Sequence, residues 1–168
     1  MGDPKKPRKK YRGPKHPWRS DQLMHELYLL GTYGLRNKKE LWKVQTELSR
    51  IRKQARMLLA APKEVREKEE KALLESLKRK GIVGENPDLD DVLSLTVESL
   101  LERRLQTVVW RKGLARSPFE ARQMITHGHI TIGDRVVKVP SYHVSAKEEN
   151  LVRIRDDSPL LTLKQITR

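Results

Sequence analysis

Seven of the eight cations from residue 103 to residue 138 form one candidate set, with Arg135 beside them. They are Arg103, Arg104, Arg111, Lys112, Arg116, Arg122 and Lys138, interrupted only by the acids Glu102, Glu120 and Asp134. Guanidinium and ammonium groups at such density are suited to one chemistry, the neutralisation and hydrogen bonding of phosphate oxygens. Catalytic readings find less support. The five histidines (16, 25, 127, 129 and 143) show no ligand spacing with acids around them. Asp88, Asp90 and Asp91 read as acids at a helix start, where they complement the dipole, rather than as a metal or acid–base cluster. No phosphate-binding glycine loop or serine nucleophile motif is present. Ser117 has a capping role that explains it. The expectation is a binding protein with no catalytic residue, metal, cofactor or small-molecule substrate.

The elements that must position these cations follow from periodicity. Leu101, Leu105, Val108 and Val109 form one apolar stripe, which predicts a helix carrying Arg104 and Arg111 on a second, exposed stripe. Gly113 ends it. Ser117, Pro118 and Glu120 start the next helix as a capping box with proline at the first position. Ala121, Met124 and Ile125 are its buried face, which leaves Arg122 outside, and Gly128 closes it. Gly133-Asp134 then marks a two-residue hairpin turn. That register pairs Ile132 with Arg135 and sets Ile130, Ile132, Val137 and Val139 on the core side. His129, Thr131, Val136 and Lys138 take the other face. Leu151 to Arg155 alternates as a further strand.

The whole chain has 168 residues and a net charge of +14, with no cysteine. A surplus that large calls for a polyanion, nucleic acid first and an anionic membrane second. No apolar run approaches the ~20 residues of a membrane helix, and no signal-peptide core is seen. The absence of cysteine suits a cytosolic setting. Half of the surplus lies at the start: residues 1–19 hold eight Lys or Arg against one Asp. Lys5, Lys6, Arg8, Lys9, Lys10, Arg12 and Lys15 are candidate phosphate contacts there. Four prolines keep that stretch extended, and Tyr11 and Trp18 are placed to stack on bases or to anchor it on the body.

Between the arm and the central cations the sequence reads as a helical body. Ser20 is expected to cap a helix with Leu23, Leu27 and Leu30 on one face, broken by Gly31 and Gly34. Tyr33, Arg36, Asn37, Lys38 and Lys39 form a basic turn, with Asn37 and Glu40 as a second capping box. Leu41, Val44, Leu48, Ile51, Ala55 and Leu58 alternate steps of three and four, one clean seam on a long helix. Lys39, Lys43 and Arg50 lie opposite it. A further helix runs from Pro62 to Lys80. Its i,i+4 pairs (Glu64–Lys68, Glu67–Lys71, Glu75–Arg79) mark it as a brace, with Leu73, Leu74 and Leu77 as its apolar part.

The stretch Glu102-Arg103-Arg104-Leu105, Gly113-Leu114-Ala115, Ala121-Arg122, Gly128-His129, Ile132-Gly133 and Pro140-Ser141-Tyr142 resembles the RNA-binding domain named after the fourth protein of the small ribosomal subunit. Two positions depart from the pattern, Gln106 where many members carry an acid and Ile132-Gly133 where Val-Asn-Gly is frequent. The basic arm and Tyr33 to Trp42 are similar to the archaeal and eukaryotic branch of the same ribosomal family. The resemblance implies direct binding of small-subunit rRNA at a multi-helix junction, an early role in assembly and support of decoding fidelity. It also implies contact with the fifth small-subunit protein and a position near the mRNA entry, in the cytoplasm. An RNA-modifying enzyme would need a further domain, and a free-standing RNA-binding stress or chaperone protein would not need the arm.

The expected fold is α+β. A basic arm (1–19) leads into a helical body (20–98). An RNA-binding module of two helices on an antiparallel hairpin or sheet follows (99–155), then a tail (156–168) expected to dock on the body. The candidate RNA-contacting residues are the cations named above together with Tyr33, Asn37, His129 and Arg135.

Overall fold

The long apolar seam predicted for residues 41–58 is the spine of the first core. In the computed structural model, which describes residues 9–84 and 86–159, helix α2 runs Lys38–Leu59 and buries Leu41, Val44, Leu48, Ile51, Ala55 and Leu58. Helix α1 (Ser20–Thr32) packs on its start. Helix α3 (Lys63–Lys80) packs on it through Leu73 and Leu77 and ends at Gly81 in the left-handed conformation. Two short helices, α4 (Leu89–Ser94) and α5 (Val97–Glu102), cover its remaining side. Asp88 begins α4, and its backbone N–H donates to the Asp91 carboxylate at 3.0 Å.

A second core begins at Leu105. Helices α6 (Leu105–Arg111) and α7 (Pro118–Thr126) pack on each other beside a three-stranded antiparallel sheet. Its strands are β1 (Ile130–Ile132), β2 (Arg135–Val136) and β3 (Val152–Ile154), in the order β2-β1-β3. The hairpin has the expected register, Ile132 opposite Arg135 and Thr131 opposite Val136, with Gly133 and Asp134 between them. The third strand pairs with β1 through Ile130–Ile154 and Ile132–Val152. The fold is α+β, as the periodicities imply.

Four local expectations are corrected. The helix expected through Leu101 and Leu105 is broken at Arg103-Arg104, where Arg104 has extended backbone. The chain returning from the sheet supplies the reason: the N–H groups of Leu105 and Gln106 donate to the carbonyls of Tyr142 (2.8 Å) and Pro140 (3.3 Å). These early amides of α6 have no partner within their own helix. In α1 the inward residues are Glu26 and Leu29, while Leu27 points out, Ser20 makes no cap and Gly31 stays helical. Val139 is exposed because β2 stops at Val136. On α3 the ion pair formed is Arg66–Glu70 at 3.2 Å, not one of the three expected pairs. The tail expectation concerning Leu160, Leu161 and Leu163 lies outside the described residues, as do Lys5, Lys6 and Arg8.

The two cores meet at Gly34. Its φ of +59° is one that side chains rarely adopt, and an added Cβ would lie 2.7 Å from the Pro118 Cβ and 2.9 Å from Gln106 Nε2. Gly34→Ala is expected to cost about 1–2 kcal/mol from the backbone alone, with the clash in addition. Thermal unfolding would measure it, and an unchanged melting temperature would show that this junction is loose.

Candidate nucleic-acid interface

Arg104 was expected on an exposed stripe, but it is buried, 3% accessible. The break before α6 turns it inward, where its Nη2 meets the Glu40 carboxylate at 2.7 Å. Arg122, expected outside α7, reaches the other oxygen of the same carboxylate, also at 2.7 Å. One acid at the start of α2 thus holds two arginines of the second core. Burial raises the Glu40 carboxyl, but the hydrogen bonds and charges of Arg122 and Arg104 more than offset this and leave it below the ordinary value. Burial likewise lowers the Arg104 guanidinium, with Glu40 opposing.

Other expected contacts are engaged within the protein in the same way. Arg103 pairs with Glu149 at 2.8 Å and donates to the Val144 carbonyl, packed against Gly81. Arg111 pairs with Glu102 at 2.8 Å and lies over the Trp110 ring. Tyr33 is buried and donates its hydroxyl to Glu102 at 3.0 Å; burial and that acid push its phenol pKa up. Asn37 caps α2 by accepting the Glu40 N–H, and Lys38 pairs with Glu26. Lys112 donates to the Glu149 carbonyl. Arg135 contacts the Tyr142 hydroxyl and lies 3.9 Å from Glu148. His129 is half-buried, with Nδ1 3.0 Å from the Ser158 hydroxyl. Of the central cations, Lys112, Arg116 and Lys138 are exposed and form no ion pair among the described residues.

The unpaired charge is concentrated instead where the arm meets α2. Tyr11 stacks on Trp42, with centroids 6.0 Å apart, and the Arg12 N–H donates to Thr46 Oγ1 at 3.0 Å. This lays the arm along the solvent side of α2. Between them runs a groove of about 350 Å³ lined by Lys9, Tyr11, Arg12, Thr46, Ser49, Arg50 and Lys53. No carboxylate lines it. Lys10, Lys15, Lys39 and Lys43 are exposed on the arm and α2, and Arg36 is exposed just ahead of that helix. Thr46, Ser49 and Lys53 are additions to the residues expected from the sequence. Their signal is nonetheless present there: Lys39, Lys43, Thr46, Arg50 and Lys53 repeat steps of four and three, a polar stripe running parallel to the apolar seam. Among the described residues, no group of three His, Asp or Glu is arranged to hold a metal ion.

Two family models match the helical body and the helix–helix–sheet module in tandem. The family described as ribosomal protein S4/S9 N-terminal domain matches residues 5–102, and the S4 domain matches residues 103–150. The chain belongs to the uS4 family. Three similar archaeal proteins each carry the name small ribosomal subunit protein uS4. The chain is 60% identical to the Hyperthermus butylicus protein, over 95% of this chain and 90% of that one. It is 58% identical to that of Ignicoccus hospitalis, over 95% and 96%. To that of Sulfolobus acidocaldarius it is 53% identical, over 95% and 91%. The boundary between the two family matches falls between the two hydrophobic cores, the first of which ends at Leu101 and the second of which starts at Leu105.

Glu40 therefore carries a prediction about stability in this uS4 chain. Glu40→Gln leaves Arg104 buried without a counter-charge and is expected to cost about 3 kcal/mol, as breaking a buried ion pair does. Because the folded carboxyl lies below its unfolded value of 4.5, its contribution is fully present above that pH. The contribution is lost as pH falls through the lower folded value. Denaturant melts of parent and variant should differ at pH 7 and converge under strong acid. A difference that persists unchanged to acid pH would contradict an ionic origin.

Proposed function

We propose that this protein is a structural constituent of the small ribosomal subunit that binds its rRNA directly and acts by binding rather than by catalysis. The observation that carries this reading is the acid-free groove between the arm and α2, whose Lys9, Arg12, Arg50 and Lys53 make no ion pair among the described residues. Cations left unpaired in a protein of net charge +14 gain free energy by releasing counterions from phosphates. Arg116 and Lys138 on the module, with Arg36, Lys39 and Lys43 near the start of α2, extend the contact surface. Recognition is of backbone shape, because A-form major grooves are too narrow for side chains to read bases.

In this reading Arg104, Arg122 and Tyr33 hold the platform together, and the surface cations meet the RNA. The arm, helical body and module act as one RNA-folding unit during assembly in the cytoplasm. The family resemblance supports two finer roles, a contact with the fifth small-subunit protein and a site near the mRNA entry that affects fidelity.

Binding of the full chain to protein-free small-subunit rRNA, measured across salt concentrations, tests the proposal. Replacing Lys9, Arg12, Arg50 and Lys53 by Ala should reduce the steepness of log affinity against log salt by about 0.7–0.9 for each phosphate that is no longer neutralised. The melting temperature should stay near that of the parent. Arg104→Ala should do the opposite, lowering the melting temperature while leaving the salt slope unchanged. A four-site variant that binds with the parent's affinity and slope would refute the groove as the principal contact.

A further inference from the structure

Helix α1 carries two apolar stripes, and among the described residues only one is covered. The inward stripe holds Leu29 and the buried Glu26, whose carboxylate is satisfied by Lys38, Gln22 and Trp42. On the opposite side Met24, Leu27, Tyr28 and Gly31 recur at i, i+3, i+4 and i+7, the spacing of one helix face. Met24 is 68% exposed, Tyr28 65% and Leu27 48%. A helix apolar on both faces is one built to be covered on both, and clustered exposed apolar side chains mark an interaction surface. Gly31 adds an independent observation. It is helical, and a Cβ there would meet nothing within 4 Å. The packing of the described residues gives no reason for glycine, which costs about 0.5–1 kcal/mol relative to alanine inside a helix. Without a side chain, that position lets another backbone approach the helix closely.

We propose that this outer face of α1 docks a different protein of the assembled subunit, one that presents an apolar ridge with an uncharged rim. The proposal rests on the ribosomal reading above. Charge selects the occupant. The chain has 36 Lys and Arg, yet residues 20–35 contain none; at the near end of the face the exposed Asp21 lies 3.8 Å from Arg19, so the face carries little net charge. RNA gains little from such a surface, because phosphate contact is made by cations. A second copy of a +14 chain is disfavoured by its own repulsion. Three side chains also offer only a fraction of the roughly 800 Å² per partner that a stable free-standing contact buries. The contact therefore forms when rRNA holds both proteins in place, which raises their effective concentration.

The test places the photoreactive amino acid benzoylphenylalanine at position 28 of the full-length protein. The protein is then assembled into small subunits with rRNA and proteins from Sulfolobus acidocaldarius. Irradiation should link position 28 to a peptide of another subunit protein, identified by mass spectrometry. Links only to rRNA, links only to a second copy of this chain, or no link at all would each overturn the proposal. A second arm uses Met24→Glu with Tyr28→Glu. This variant should bind protein-free rRNA within about twofold of the parent, while its retention in complete subunits through a salt wash falls at least about tenfold, the change that 1.4 kcal/mol of contact energy produces. If that pair lowers the melting temperature, Gly31→Gln carries the test, since it adds bulk to the face at a helix-favouring position. Unchanged retention refutes the docking face. Failure of the parent itself to bind protein-free rRNA refutes instead the ribosomal reading on which it rests.

Discussion

One carboxylate joins the two halves of this protein. Glu40, in the first turn of α2, receives Arg104 from the start of α6 and Arg122 from the middle of α7. Neither hydrophobic core is large, and the apolar clusters are separate, one ending at Leu101 and the other beginning at Leu105. What holds them in register is therefore polar and directional. Gln106 reinforces it: buried in α6, its side-chain amide donates to the Gly34 carbonyl at 2.8 Å and to the Pro118 carbonyl at 2.9 Å. Hydrogen bonds of this kind tolerate little displacement, so they fix an orientation where apolar contact alone would permit sliding.

This constraint shapes how the basic residues divide. Placing arginine at an interior junction costs desolvation that only well-formed pairing offsets. The structure meets that requirement for Arg103, Arg104 and Arg122 by giving each a carboxylate partner. Those side chains are then engaged within the protein, Arg104 most completely. The cations that line the groove between the arm and α2 have no such partners among the described residues, and their charge is directed outward. Internal pairing and surface exposure thus fall to different members of one residue class, and the internal set holds the elements that carry the outer set.

The arm shows the same division at smaller scale. The Tyr11–Trp42 stack and the backbone hydrogen bond from Arg12 to Thr46 hold the described part of the arm against α2. Trp42 in turn donates its indole N–H to the buried Glu26 of α1. A continuous chain of contacts runs from the arm through α2 to α1, so the basic groove and the outer face of α1, free of Lys and Arg, sit on one helical body.

The amino-acid sequence by itself determined what depends on neighbours along the chain. The α2 seam, the Ser117 cap and the two-residue turn at Gly133-Asp134 are all local patterns, and each has the expected form. The tertiary structure decided which polar side chains turn inward. Arg104 and Arg122 read as surface residues because nothing within several positions announces an acid for them; Glu40 is 64 and 82 residues away. The break before α6 is hidden for the same reason, since its amides are satisfied by carbonyls some 35 residues later, at Pro140 and Tyr142. In α1 a second apolar stripe masks the true inward face, and only packing against α2 tells Leu29 from Leu27. Periodicity reports that a helix has a face; which long-range partner meets it is settled by burial and charge pairing that sequence spacing does not encode.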